Sequence, residues 1–237
     1  MNLIFDVDGT LTAPREEIDF YFRKELEFYA TDHNIYLATG SDYSKTIEQL
    51  GQDFVENFVI YSFNCSGNSI WHRGSEVYRN EWDLPEECYS WLKQEITKSP
   101  FKVKTGNHIE KRPGMVNFTV LGRNATWEER AEYVSYDTSV NERKTIASAF
   151  NELFSKEYDL SAQVAGSTGF DIYPTGRDKS QILQYFKKVP VKFFGDDTAP
   201  GGNDYSLALA IEERSLPGDK VFKVNSPIET RYLLTLL

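Results

Sequence analysis

The sequence predicts an α/β fold, a parallel sheet covered by helices, into which an α+β block is inserted. Three observations predict it. Short apolar runs at 2–7 and 35–38 each pass through a polar loop into a helix-like stretch, and a third run opens at 58–61, the alternation that builds parallel sheets covered on both faces. The alternation stops near residue 78 and resumes near residue 180. With 40% hydrophobic and 14% aromatic residues, the 237-residue chain can bury a sizeable core while 26% charged residues serve its surface.

The run 2–7 leads into Asp8-Gly9, a turn signal that closes a first strand, and the loop 10–15 precedes an amphipathic helix at 18–30. Residues 35–38 form a second strand that leads through Thr39-Gly40-Ser41 into a helix ending near Leu50, and 58–61 opens a third strand. A helix over 84–98 then introduces segments without alternation: a run at 116–121, a helix from Glu128, another over 141–154 and a strand at 170–173. Thr126-Trp127-Glu128-Glu129 has the spacing of a capping box, which starts the middle helix. The first rhythm returns with a helix at 180–186, a strand at 191–194, a glycine-rich loop, a helix from Asn203, a strand at 221–224 and a C-terminal helix. One discontinuous domain, 1–79 with 177–237, interrupted by an inserted domain at 80–176, accounts for this order.

A net charge of −10 argues against phosphate backbones and anionic membranes, so neither nucleic acid nor membrane is expected as a partner. No apolar run reaches the roughly 18 residues of a membrane span, and acids stand where a signal peptide needs a basic start, so the expected compartment is the cytoplasm. Cys65 and Cys88 have neither CxxC spacing nor further cysteines around them; both are expected reduced and partly buried.

Ligands of open parallel sheets collect beyond the carboxyl ends of the strands. The first strand delivers Asp6 and Asp8, and carboxylates so close repel each other unless protons or a hard divalent cation compensate. The run at 191–194 delivers Asp196 and Asp197, followed by Pro200-Gly201-Gly202-Asn203-Asp204, and a third carboxylate at this neighbouring strand end completes a candidate magnesium site. Thr39, Gly40 and Ser41 offer hydroxyls and amides that suit phosphate oxygens, although taken alone they fit a helix cap. Lys179 begins a helix returning to the core, where it would carry a compensating positive charge.

Within 101–130, Lys102, Lys104, Lys111, Arg112, Arg123 and Arg130 outnumber Glu110, Glu128 and Glu129, a local excess of cations in an acidic chain. An anion would be drawn there. The capping box puts Arg130 in the first turn of a helix and Arg123 just before it, where both could grip a phosphate with bidentate hydrogen bonds. Singly, each arginine is as readily explained by a salt bridge to a surface acid. Asp171 alternates with Phe170 and Ile172 and so faces away from them, to bind sugar hydroxyls or to stand as an exposed strand acid. His33, His72 and His108 show no metal-ligand spacing.

Phe5-Asp6-Val7-Asp8-Gly9-Thr10 resembles the opening motif of the haloacid dehalogenase-like (HAD) phosphotransferases, and its extension through Arg15 resembles eukaryotic-type phosphomannomutases. The resemblance spans nearly the whole chain, through Gly40-Ser41-Asp42 with Lys45, Arg112-Pro113-Gly114-Met115, Gly122-Arg123, Glu128-Glu129-Arg130, Phe170-Asp171, Asp178-Lys179 and Phe193-Phe194-Gly195-Asp196. It implies a HAD-like Rossmannoid core with an inserted cap domain. It further implies Asp6 as the nucleophile that becomes an aspartyl phosphate, Asp8 as the acid/base, and magnesium on Asp6, the Asp8 backbone carbonyl and Asp196, with Asp204 beside them. Lys179 and a hydroxyl of Thr39 or Ser41 would steady the transferring phosphoryl; Arg15, Lys45, Arg112, Arg123, Arg130 and Asp171 would bind substrate.

The implied activity is magnesium-dependent interconversion of mannose 6-phosphate and mannose 1-phosphate through a hexose bisphosphate, which would also act as activator, in a homodimer joined through the cap. Two departures stand out. Gly169 occupies a position where the family carries serine, which is expected to leave space and relax sugar specificity, and Ser206-Leu207-Ala208 replaces an acidic loop for a second ion. The rival readings are a sugar-phosphate phosphatase, in which water takes the phosphoryl from Asp6, and a non-catalytic sugar-phosphate sensor. The complete set Asp6, Asp8, Lys179 and Asp196 argues against the sensor.

Overall fold

The computed structural model describes residues 1–237, which divide into two compact units, Met1–Asn80 with Gly176–Leu237, and Glu81–Thr175. The first unit opens with β1 (Asn2–Phe5), α1 (Phe20–Tyr29), β2 (Asn34–Ala38), α2 (Tyr43–Leu50), α3 (Gln52–Phe58), β3 (Val59–Asn64), β4 (Ser69–His72) and β5 (Ser75–Arg79). The second contains α4 (Glu86–Lys98), β6 (Ile109–Arg112), β7 (Met115–Phe118), α5 (Trp127–Val140), α6 (Glu142–Tyr158), β8 (Leu160–Ala165) and β9 (Gly169–Pro174). The first unit resumes with a 3-10 segment, Lys179–Phe186, followed by β10 (Val191–Gly195), α7 (Tyr205–Arg214), β11 (Lys220–Lys223) and α8 (Pro227–Leu234).

An apolar run can be buried on both faces only inside a covered sheet, and β1 takes that place. In the order β11-β10-β1-β2-β3-β4-β5 it pairs in parallel with β2 and with β10, Asn2 standing opposite both Asn34 and Val191. The period of two along the strand sends Leu3 and Phe5 to Phe22, Leu26, Leu50 and Phe54 on one side, and Ile4 to Phe63, Ile182, Phe193 and Leu207 on the other. The mixed α/β fold expected from the sequence is therefore present.

Its edge differs from expectation. β4 and β5 add an antiparallel hairpin to the parallel strands. The turn is Arg73-Gly74, at φ 47° and 78°, the double positive φ that matches strand twist; arginine in the first place gives no turn signal. The segment Lys179–Phe186 is 3-10 rather than α-helical: the Asp178 side chain caps the Ser180 N–H at 2.8 Å and the Asp178 carbonyl accepts from Gln181, three residues on.

The second unit holds a four-stranded antiparallel sheet, β6-β7-β9-β8. Phe118, Phe170, Ile172 and Ala162 on one face pack against Leu92, Ile146, Phe150 and Phe154 of the helices. Cross-strand pairing aligns Glu110, Asn117, Asp171 and Gln163 in a row on the other face. Buried Glu142 is satisfied by the hydroxyls of Ser99, Tyr133 and Tyr136 at 2.6, 2.9 and 3.3 Å. The capping box at Thr126 and Glu129 forms as the sequence predicts. Cys65 and Cys88 form no disulfide and are more deeply buried than expected, and no helix is long and apolar enough to cross a membrane.

Candidate active site

Past β1 the chain doubles back at once: the Val7 carbonyl accepts from Leu11 and Thr12 at 2.9 and 3.1 Å, and Gly9 donates to the Thr12 carbonyl at 2.8 Å. The Asp6 N–H bonds the Phe194 carbonyl at 2.9 Å, which ties this turn to the end of β10. Gly9 has φ 82°, and a Cβ there would lie 2.3 Å from Asp196 Oδ2, so only glycine lets the two loops close on each other. A Cβ at Gly195 would likewise meet Asp204 Oδ2 at 2.5 Å.

These approaches bring carboxylate oxygens of Asp6, Asp196 and Asp204 within 4.8 Å of one another. Lys179, delivered by the first residue of the 3-10 segment, places Nζ 2.6 Å from Asp6 Oδ1 and 2.6 Å from Asp204 Oδ1. Burial raises the Asp6 carboxyl well above its ordinary 3.8, against the pull of the Lys179 ammonium. Burial, and then the charge of Asp204, push Asp196 up to about 6. For Lys179, burial favours the neutral amine, but Asp204 and Asp6 outweigh it and hold the ammonium charged. Three carboxylates around one ammonium leave negative charge uncompensated, and their hard oxygen donors fit a divalent cation of the magnesium type.

Asp8 stands apart from that trio. Its Oδ1 accepts from the Arg15 N–H and from Gln49 Nε2, each at 2.8 Å, which leaves its backbone carbonyl as the ligand that the family resemblance implies. Arg15 reaches this position at φ 67°. Thr39 is buried and accepts from the Ser41 N–H at 3.1 Å, while the cap of α2 is Asp42, bonded to the Lys45 N–H at 2.8 Å. Thr39-Gly40-Ser41 is therefore not the helix cap. Lys45 Nζ lies 2.9 Å from Glu48, an i,i+3 surface pair of the kind that contributes little.

In the second unit, Arg112 and Arg123 converge on one oxygen, Glu110 Oε2, with Nε at 2.8 and 3.1 Å. Arg130 is buried and donates to the Arg123 carbonyl at 3.0 Å and to Thr168 Oγ1 at 3.3 Å. The cation cluster and the salt bridge, alternatives in the sequence, are both present. Asp171 is buried rather than exposed and accepts from Asn117 Nδ2 at 2.6 Å. Gly169 corrects a second expectation: a Cβ would lie 2.5 Å from the Phe118 carbonyl oxygen, so the glycine opens no space for a larger sugar. Gln49, Glu110 and Asn117 were absent from the sequence-derived set; Gln49 carries a signal, a polar residue on the buried side of α2 beside Thr46 and Leu50.

Residues 23–236 match the family model described as eukaryotic phosphomannomutase. The chain is similar to the phosphomannomutase of Saccharomyces cerevisiae, 35% identical over 99% of this chain and 93% of the relative. It is similar also to that of Spinacia oleracea, 36% identical over 86% of this chain and 84% of the relative. Among solved structures, the C-terminal domain of C. albicans trehalose-6-phosphate phosphatase superposes with a TM-score of 0.70 at 17% identity, covering 99% of this chain and 90% of that one. A trehalose-6-phosphate phosphatase related protein gives 0.60 at 17% identity, covering 100% and 96%. At such identities the likeness shows the fold alone, and that fold is HAD-like.

Proposed function

The chain belongs to the eukaryotic phosphomannomutase family, and from that premise we propose that it interconverts mannose 6-phosphate and mannose 1-phosphate through an aspartyl phosphate and a hexose bisphosphate, with magnesium. The observation that carries the reading is the division of labour between two neighbouring aspartates: Asp6 sits in the buried trio with Lys179, while the Asp8 carboxylate is held outside it by Gln49 and Arg15. This arrangement supports a reading in which Asp6 is the nucleophile and Asp8 moves the protons.

Magnesium held by Asp6, Asp196, Asp204 and the Asp8 carbonyl would supply positive charge to the phosphoryl oxygens. Asp6 attacks phosphorus through a carboxylate oxygen, and Lys179 anchors that carboxylate and offsets charge around it. Asp8 protonates the departing sugar oxygen and later takes the proton of the accepting hydroxyl. Thr39 or Ser41 hydrogen-bonds the phosphoryl group. Arg112, Arg123 and Arg130 bind the phosphate that does not react, with Arg15 assisting, and Asp171 accepts from sugar hydroxyls.

The test is mannose 1-phosphate with a catalytic amount of hexose bisphosphate, following mannose 6-phosphate and free phosphate together. Mannose 6-phosphate without stoichiometric phosphate is expected. Phosphate released as the main product would make the enzyme a phosphatase.

A further inference from the structure

Gln49 is 1% exposed, a polar side chain on the buried side of α2. Its Nε2 donates to Asp8 Oδ1 at 2.8 Å and to Thr12 Oγ1 at 3.1 Å. A carboxylate oxygen only accepts, so the amide orientation is fixed with the NH2 toward Asp8. Gln49 Oε1 is then buried without a partner, a destabilising arrangement that packing alone does not explain. A second donor, the Arg15 N–H, reaches the same Asp8 oxygen at 2.8 Å from a backbone at φ 67°, a conformation that is itself costly for a side-chain-bearing residue. Two independent donors, one from α2 and one from the loop after β1, thus end on Oδ1 of Asp8.

We infer that Gln49 is a positioning residue that assigns the proton transfers of Asp8 to Oδ2; the inference rests on Asp8 acting as the acid/base. Both N–H donors end on Oδ1 and occupy it, which leaves Oδ2 as the oxygen open to exchange a proton with substrate. When the Asp6 oxygen bonds to phosphorus, the bond from phosphorus to the sugar oxygen breaks and its electron pair stays on that oxygen, which takes the proton from Asp8 Oδ2. In the return half-reaction the sugar hydroxyl gives its proton to Oδ2 as its oxygen bonds to phosphorus, and the bond to Asp6 breaks. The Gln49 amide holds the carboxylate plane in place through both halves without touching substrate.

The experiment varies the leaving group. A sugar oxygen needs a proton to depart, whereas 4-nitrophenolate and acetate depart without one. Single-turnover phosphorylation of Asp6 is measured from mannose 1,6-bisphosphate and from 4-nitrophenyl phosphate or acetyl phosphate, for the parent, Gln49→Leu, Gln49→Met and Asp8→Asn. Gln49→Leu is expected to slow transfer from the bisphosphate by about tenfold or more with KM little changed, and transfer from the activated donors by less than about threefold. Gln49→Met keeps the length of the side chain and removes the donor without adding a charge, so it gives the same answer if the leucine variant does not fold. Equal slowing on both donor classes would overturn the inference and leave Gln49 a structural tie. Asp8→Asn separates the two levels: selective slowing by Asp8→Asn but not by the Gln49 variants refutes the positioning role alone, whereas no selectivity in Asp8→Asn refutes the acid/base reading beneath it.

Discussion

The ammonium of Lys179 and the carboxylate of Asp6 meet at 2.6 Å with side chains only 1% and 4% exposed. That ammonium, shared with Asp204 at the same distance, stands in for water at both carboxylates, and removing it strands their charge. Lys179→Met is expected to lower stability by about 3–5 kcal/mol in the presence of a chelator, and magnesium should restore part of the loss, because a cation at the trio replaces some of the missing charge. Urea denaturation of the variant with and without magnesium measures both terms. An unchanged midpoint in the chelator would mean that the carboxyl groups discharge by taking up protons instead.

The same trio makes the choice of cation testable. Magnesium is expected to support turnover and calcium to inhibit it, since calcium accepts longer bonds and more ligands and could engage both oxygens of Asp6, the proposed nucleophile. Activity assayed after chelation and re-addition of each ion decides this. Full activity in excess chelator would remove the ion from the reaction.

Arg123→Ala and Arg130→Ala are expected to raise KM for a sugar bisphosphate by tenfold or more and to change KM for a small aryl phosphate by less than about threefold, because only the larger substrate offers a second phosphate. Glu110→Ala leaves Arg112 and Arg123 without their shared carboxylate, and should tighten phosphate binding if the unit stays folded. Equal losses on both substrates for the arginine variants would show that these side chains support the fold alone.

Gly169→Ser is expected to destabilise the protein by about 1–3 kcal/mol, because the added Cβ must push away the Phe118 carbonyl, only 2.5 Å from its position. Thermal unfolding of the variant measures it. Sharper discrimination between mannose and glucose 1-phosphates at unchanged stability would mean that the sheet yields more readily than this distance implies.

The Arg214–Asp219 pair predicts a pH effect. Partial burial opposes ionisation of Asp219, but hydrogen bonds from Arg214 and the Val191 N–H hold its carboxyl below the ordinary 3.8. A folded-state value below the unfolded one means stability that is present above pH 3.8 and is lost as pH falls through the lower folded value. The stability gap between the parent and Asp219→Asn should therefore be constant near neutrality and shrink in strong acid, as read by denaturation at a series of pH values. A gap independent of pH would place the pair's effect in packing.

The central strands were legible because a run buried on both faces must be continuously apolar, as at Leu3-Ile4-Phe5. The hairpin of β4 and β5 was not, since its turn uses Arg73, a residue with no preference for positive φ. The same divide runs through the site. Asp6, Asp196, Asp204 and Lys179 could be read because each follows a strand end or opens a helix, where local sequence already says what the backbone does. Gln49, Glu110 and Asn117 acquire their roles only when a second element arrives, Gln49 from the turn after β1 and Asn117 from Asp171 across the sheet. Gly169 misled because an absent side chain can mean room for a ligand or room already taken by backbone, and sequence alone does not separate the two.

The parallel pairing of β1 with β10, Asn2 opposite Val191, sets an order of events during synthesis. A nascent chain that has reached Thr175 already contains every strand and helix of the unit Glu81–Thr175, while β1 still lacks one of its two sheet neighbours. Asp6 leaves the ribosome more than 150 residues ahead of Lys179, Asp196 and Asp204 and waits for them. A ribosome that stalls between the two would hold a chain whose Glu81–Thr175 unit is complete, while the first unit has an open sheet edge and an Asp6 without Lys179, Asp196 or Asp204. Chaperones that shield exposed strand edges should therefore engage this chain while β10 is still unmade, and release it when β10 closes onto β1.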